Sequence, residues 1–161
     1  MKIFIGTDHA GYGLKEKLVL ALRAQGHEVV DKGAYEYNEG DDYPDFIIPV
    51  AKEVSQNPDG VRGIVLGATG QGEAICANKF PGVRAAVYYG KSKTVVDDEA
   101  DIIVRSREHN NTNILSLAGR YLTEEAMLET VNLWLATAYT AEERHVRRLA
   151  KIDEIKIENN A

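Results

Sequence analysis

Residues 67–79 read GATGQGEAICANK, with three glycines, a threonine, a glutamate and the only cysteine of the chain. A glycine-rich turn that opens a helix points successive backbone N–H groups at one spot, which suits an anion. The order is G-x-x-G-x-G. It is neither a Walker loop, since no Lys-Ser/Thr follows, nor the dinucleotide fingerprint G-x-G-x-x-G. The anion could be a phosphate or a developing enolate oxygen. A plain strand-to-helix turn needs about one glycine, so three argue for close approach of the backbone to a ligand. Glu73 falls in the first helical turn. There a carboxylate either compensates the helix dipole, worth roughly 0.3–1 kcal/mol, or serves beside the loop as a general base that takes a proton from carbon. Cys76 lies a turn further in, between Ile75 and Ala77. A buried, inert thiol is expected there, because nucleophilic cysteines sit in electropositive, partly exposed settings.

Other chemistry-bearing residues gather at a few places. Thr7-Asp8-His9-Ala10-Gly11 follows one apolar run, Arg107-Glu108-His109-Asn110 precedes another, and Arg144-His145 with Arg147-Arg148 lies near the C-terminus. Arg144, Arg148 and Lys151 recur at i, i+4 and i+7 and so share a helix face. Such a stripe is either a solvated face or a site for one small phosphate, which arginine grips bidentately. A helix there could also reach a neighbouring subunit. His27 has no polar cluster around it and reads as structural. No H-x-x-x-H or clustered ligand spacing marks a metal, and G-x-S-x-G is absent.

These residues need a scaffold, and the hydrophobic pattern supplies one. Strands are expected over 2–8, 27–33, 63–67, 83–89 and 113–119. Helices are expected over 14–26, 43–56 (with Pro49 as a possible kink), 72–80, 123–139 and 141–158. Thr123 can cap its helix, although Ala126 replaces the glutamate of a full capping box. Residues 90–105 read as a loop with a helix. The alternation predicts an α/β fold, a three-layer α/β/α sandwich around a Rossmann-like five-stranded parallel sheet. Ligands in such sheets bind at the carboxyl edge.

The 161 residues fit one domain. A net charge of −6 argues mildly against nucleic acid, which rewards a basic surface. No signal-peptide pattern and no apolar run of membrane-spanning length is seen. The single cysteine excludes an internal disulfide framework and fits a reducing compartment, so a cytoplasmic protein is expected.

Taken together, GTDHAG (6–11), YPD (43–45), GATGQGEAICANKFPGVRAA (67–86), SREHNNTNILSLAGR (106–120) and RHVRRLAKI (144–152) resemble the ribose-5-phosphate isomerase B group. That group includes galactose-6-phosphate isomerase subunits and allose-6-phosphate isomerases. The resemblance covers nearly the whole chain. It implies an aldose–ketose isomerase that works through an enediolate without metal or cofactor. By the same resemblance, Glu73 would be the base and Thr69 the proton shuttle. His109 would open the ring. Asn110, with the backbone from Ala68 to Gly72, would hold the enediolate oxygen. Gly67, Ala68, Gly70 and Gly72 would line the substrate, Asp8 would hold sugar hydroxyls, and Tyr43 would flank the ring. His9, Arg120, Arg144 and Arg148 would take the phosphate. The site would lie at the interface of a homodimer or tetramer. One branch of the group carries its base as a cysteine where this chain has Gly67; Glu73 places the chain in the other branch. Residues of about 90–99 look like an insertion. Ribose 5-phosphate is the expected substrate. A six-carbon phosphate (allose or galactose 6-phosphate) and a non-catalytic phosphate-binding protein are the alternatives.

Overall fold

The computed structural model describes residues 1–91 and 101–155. Five parallel strands form one sheet: β1 (Lys2–Thr7), β2 (Glu28–Asp31), β3 (Val61–Gly67), β4 (Ala85–Tyr88) and β5 (Ile114–Ala118). Their order across the sheet is β2-β1-β3-β5-β4. Among the described residues, six α-helices connect or follow them: α1 (Tyr12–Ala24), α2 (Pro44–Gln56), α3 (Gln71–Ala77), α4 (Ile102–Asn110), α5 (Glu124–Ala136) and α6 (Glu143–Asp153). A short 3-10 turn, His9–Gly11, precedes α1.

The period of two along each strand decides the layers. Ile3, Ile5, Ile64, Leu66, Leu115 and Leu117 face one side and pack with Leu18 and Leu22 of α1 and Met127, Val131 and Trp134 of α5. Phe4, Val65 and Ile114 face the other side and meet Ile47, Val50 and Val54 of α2 and Ala77 of α3. Both faces are therefore covered, as the continuous apolar runs require. Trp134 is fully buried, and its indole N–H donates to Thr112 Oγ1 at 2.9 Å. Lys15, also fully buried, donates to Asp31 and to the Ala34 carbonyl at 2.8 Å.

The expected elements are all present, and most are shorter at their ends than the apolar pattern suggests. α2 runs through Pro49 as one helix. Thr123 caps α5 by accepting from Ala126 N at 3.2 Å. The helix expected within 90–105 is α4, which overlaps that segment only at 102–105 and runs on to Asn110, so its last two residues are His109 and Asn110. The proposed insertion near 90–99 lies outside the described residues, apart from Gly90 and Lys91, and the helix expected to reach 158 ends at Asp153, capped by Glu154.

The order of strands fixes the site. β1 is followed by a crossover to β2 on one side, and β3 by a crossover toward β4 on the other. A crevice opens at the carboxyl ends of β1 and β3. Trp134→Ala should cost about 3–5 kcal/mol of stability, the usual range for removing a buried tryptophan. A urea melt that moves by less than 1 kcal/mol would show that this layer repacks.

Candidate active site

Hydrogen bonds between neighbouring strand ends build the crevice. Thr7 Oγ1 donates to the Leu66 carbonyl at 2.9 Å, which ties β1 to β3. Gly119 N and Arg120 N donate to the carbonyls of Gly67 (2.8 Å) and Ala68 (3.2 Å), which stitches the turn after β5 onto the glycine loop. Gly70 caps α3 with φ +73°, a conformation costly for residues with a side chain. The buried Ser116 hydroxyl donates to its carbonyl at 2.6 Å and holds it there. Thr69 is exposed, and its Oγ1 accepts from Gln71 N at 3.3 Å. The N–H groups of Thr69, Gly70 and Gly72 have no acceptor among the described residues. The start of a helix leaves such donors free.

Glu73 projects back over this loop and is 5% exposed. A Cβ added at Gly67 would overlap the Glu73 carboxyl group. Thus Gly67 is a glycine because the carboxylate occupies the volume its side chain would fill. Tyr43 packs against Gly72 in the same way, its Cζ 2.9 Å from where a Cβ would stand. Burial raises the Glu73 pKa above the ordinary 4.5; a hydrogen bond from its own backbone N–H opposes this, and the Asp8 charge adds to it. Asp8 is itself buried, and its Oδ1 accepts from Ala10 N at 3.0 Å. Cys76 is partly buried, and burial and Glu73 push its thiol up. That suits the packing role expected of it.

At the crevice rim, His9 Nδ1 lies 2.7 Å from Asp41 Oδ1, which also accepts from His9 N at 3.1 Å. This contact raises the His9 pKa, although partial desolvation and Arg120 oppose it. Tyr37 meets the imidazole edge-on at 6.2 Å between centroids. Asp41 and Tyr37 belong to no motif: they lie in an irregular loop about thirty residues from His9, and no periodicity signals them. The fold also gathers Asp8, His9 and Asp41 within 4.8 Å of one another, a closeness invisible in their spacing. Their tightest contact is the carboxylate–imidazole hydrogen bond made through His9 Nδ1.

His109 and Asn110 are elsewhere. They end α4, just before β5, and so stand at the amino edge of the sheet. The His109 ring stacks on His145 of α6, with 4.3 Å between centroids and 10° between planes. His145 is buried, and desolvation, His109, Arg144 and Arg148 all lower its pKa. Arg144 and Arg148 are exposed on α6 beside it. The sequence-predicted residues therefore form two groups: Asp8, His9, Tyr43, Gly67, Ala68, Thr69, Gly70, Gly72, Glu73 and Arg120 at the carboxyl edge, and His109, Asn110, Arg144 and Arg148 on the other group. β3 alone, seven residues, separates the edges by roughly 20 Å.

Comparison with known proteins identifies the family. The family model described as Ribose/Galactose Isomerase matches residues 3–152. The chain belongs to this family. The ribose-5-phosphate isomerase B of Escherichia coli (strain K12) is 38% identical over 160 residues, 99% of each chain. That of Mycobacterium tuberculosis (strain ATCC 25618 / H37Rv) is 38% identical over 149 residues, 92% of this chain and 86% of the relative. Among solved structures, ribose-5-phosphate isomerase B of Mycoplasma genitalium with bound ribulose-5-phosphate superposes with a TM-score of 0.86 at 34% identity, covering 94% of this chain and 93% of that one. The Thermotoga maritima ribose 5-phosphate isomerase gives 0.83 at 39% identity, covering 96% and 98%.

Two expectations follow for this isomerase-family site. Gly67→Ala should displace the Glu73 carboxylate and lower kcat by about 100-fold, the scale of an ångström misplacement of a catalytic group; circular dichroism should stay native. Wild-type kcat from this variant would refute the shared-volume argument. Asp41→Asn should lower the His9 pKa. Because the intact pair holds His9 charged to higher pH, KM for a sugar phosphate should begin rising at lower pH in the variant, with kcat little changed. An unshifted KM profile would remove Asp41 from the phosphate end.

Proposed function

We propose that this chain interconverts ribose 5-phosphate and ribulose 5-phosphate, with Glu73 as the base. The observation that carries this reading is the buried Glu73 carboxylate, with a raised pKa, lying over Gly67 beside three loop N–H groups that have no acceptor among the described residues. Proton abstraction from carbon needs a base near the operating pH and donors where oxyanion charge develops. In the open-chain aldose, Glu73 takes the C2 proton and the electron pair becomes the C1–C2 double bond. The former carbonyl oxygen then gains charge opposite the N–H groups of Thr69, Gly70 and Gly72. Thr69 moves a proton between the two oxygens, and Glu73 returns its proton to C1, which gives the ketose. Asp8 holds sugar hydroxyls, Tyr43 flanks the chain, and His9 and Arg120 take the phosphate. No step requires a metal or cofactor.

His109 for ring opening, Asn110 for the enediolate oxygen, and Arg144 and Arg148 for the phosphate would come from a second copy. This division is supported by the roughly 20 Å between sheet edges, far more than one sugar phosphate can bridge. A homodimer, or a tetramer of such dimers, then builds each site from the carboxyl edge of one chain and the α4–α6 corner of the other.

Glu73→Gln should abolish exchange of the substrate C2 proton with deuterated water. It should also raise Tm at pH 7. The folded pKa lies above the unfolded one, so Glu73 destabilises the fold progressively as pH rises past 4.5, and a neutral side chain removes that cost. Retained exchange would remove Glu73 as the base. Co-refolding inactive Glu73→Gln with inactive His109→Ala should restore about a quarter of wild-type activity, because random pairing gives half heterodimers with one intact site each. No recovery would place both residues in one chain's site. A higher kcat/KM on allose or galactose 6-phosphate than on ribose 5-phosphate would change the sugar and keep the chemistry.

A further inference from the structure

The amino edge of the sheet carries a second concentration of positive charge that the isomerase reading leaves unused. Arg62 of β3 and Arg107 of α4 line an open cleft of about 370 Å³ together with Asn111, Thr137, Tyr139 and Asp59. Arg107 is 4% exposed. It donates from Nε to the Thr137 carbonyl at 3.2 Å, and from Nη1 to Asn111 Oδ1 at 2.9 Å and to the Thr112 carbonyl at 2.5 Å. Arg62 Nη1 is taken up by the carbonyls of Asp59 (3.1 Å) and Val61 (2.8 Å). Neither arginine has a carboxylate partner among the described residues.

Buried charges are ordinarily paired, because the loss of water is otherwise uncompensated. Here the charges also repel one another. Burial, then Arg62 and Arg84, pull the Arg107 pKa down to about 10. The one nearby carboxylate, Asp59, is 82% exposed and sits 3.7 Å from Arg84. The carbonyls at the ends of α4 and α5 offset part of the Arg107 charge, but they do not reach the second guanidinium. A further orphan lies on the same wall. The Tyr139 hydroxyl is buried without a hydrogen-bond partner among the described residues, and Tyr139 lines both this cleft and the adjoining one of about 260 Å³.

We propose that this cleft is an oxyanion site for a phosphate-class dianion, held by Arg62, Arg107 and the Tyr139 hydroxyl and separate from the sugar-phosphate pocket. Each guanidinium is a planar fork of donors of the kind phosphate takes up bidentately, and the hydroxyl adds one donor more. The bound charge would cancel the Arg62–Arg107 repulsion at its source. It would also steady the turn at Asn111–Thr112, directly after His109 and Asn110, because Arg107 holds both of those turn residues.

The test is calorimetric titration of inorganic phosphate into the full-length protein. Wild type should show two sites per chain. Arg62→Gln and Tyr139→Phe should each weaken one of them, Arg62→Gln by about tenfold or more, the scale of a lost hydrogen bond to a charged group. Both variants should keep wild-type kcat/KM in phosphate-free buffer. The double variant His9→Ala/Arg148→Ala should lose the other site and keep this one. Tyr139→Phe discards only an unpartnered hydroxyl, so its fold is safe. A single site, absent in His9→Ala/Arg148→Ala and unchanged in Arg62→Gln and Tyr139→Phe, overturns the proposal. So does loss of the second site on dimer dissociation with no change in Arg62→Gln, which would place the second phosphate between subunits rather than in this cleft.

Discussion

A carboxylate that has given up nearly all its water, Glu73, stands over the α-carbon of Gly67, and the rest of the site is arranged around that contact. The desolvation cost explains why the Glu73 pKa is raised. The overlap explains why position 67 carries no side chain. The left-handed Gly70, held by Ser116, explains how a helix can begin abruptly enough to throw the carboxylate back over the strand end. Changing any of these three disturbs the others, since they share one small volume.

Much of this was legible in the sequence. The apolar runs of β1, β3 and β5, and the glycine-rich turn after β3, fix the sheet and put the loop at its carboxyl edge. Glu73 was legible as a first-turn carboxylate, with two readings that composition could not separate. Burial, a tertiary quantity, is what the sequence could not supply: Glu73 is 5% exposed, so its carboxylate carries a desolvation cost that a solvated first-turn glutamate does not. Asp41 and Tyr37 were not legible. They approach His9 through the path of an irregular loop, and a loop path leaves no period in the sequence. The stacking of His145 on His109 depends on how α6 returns against α4, again a matter of tertiary packing.

The family's function and the single-chain geometry meet in the separation of the two groups. Topology, not side-chain detail, sets it: in a parallel sheet, residues that follow strands and residues that precede them are at opposite edges. His109 precedes β5, and Glu73 follows β3. The α4–α6 corner presents cationic side chains outward, while the crevice at the carboxyl edge presents its N–H groups, His9 and Arg120.

The shared volume of Gly67 and Glu73 also bears on how such a protein can change over time. A side chain at 67 and a carboxylate from 73 exclude each other, so their effects cannot add. A side chain gained first at 67 must push the Glu73 carboxylate out of its place, and a residue shortened first at 73 leaves a void beside Gly67. The two positions therefore change as a pair, and a substitution that is costly at one of them alone becomes tolerable once the other has changed.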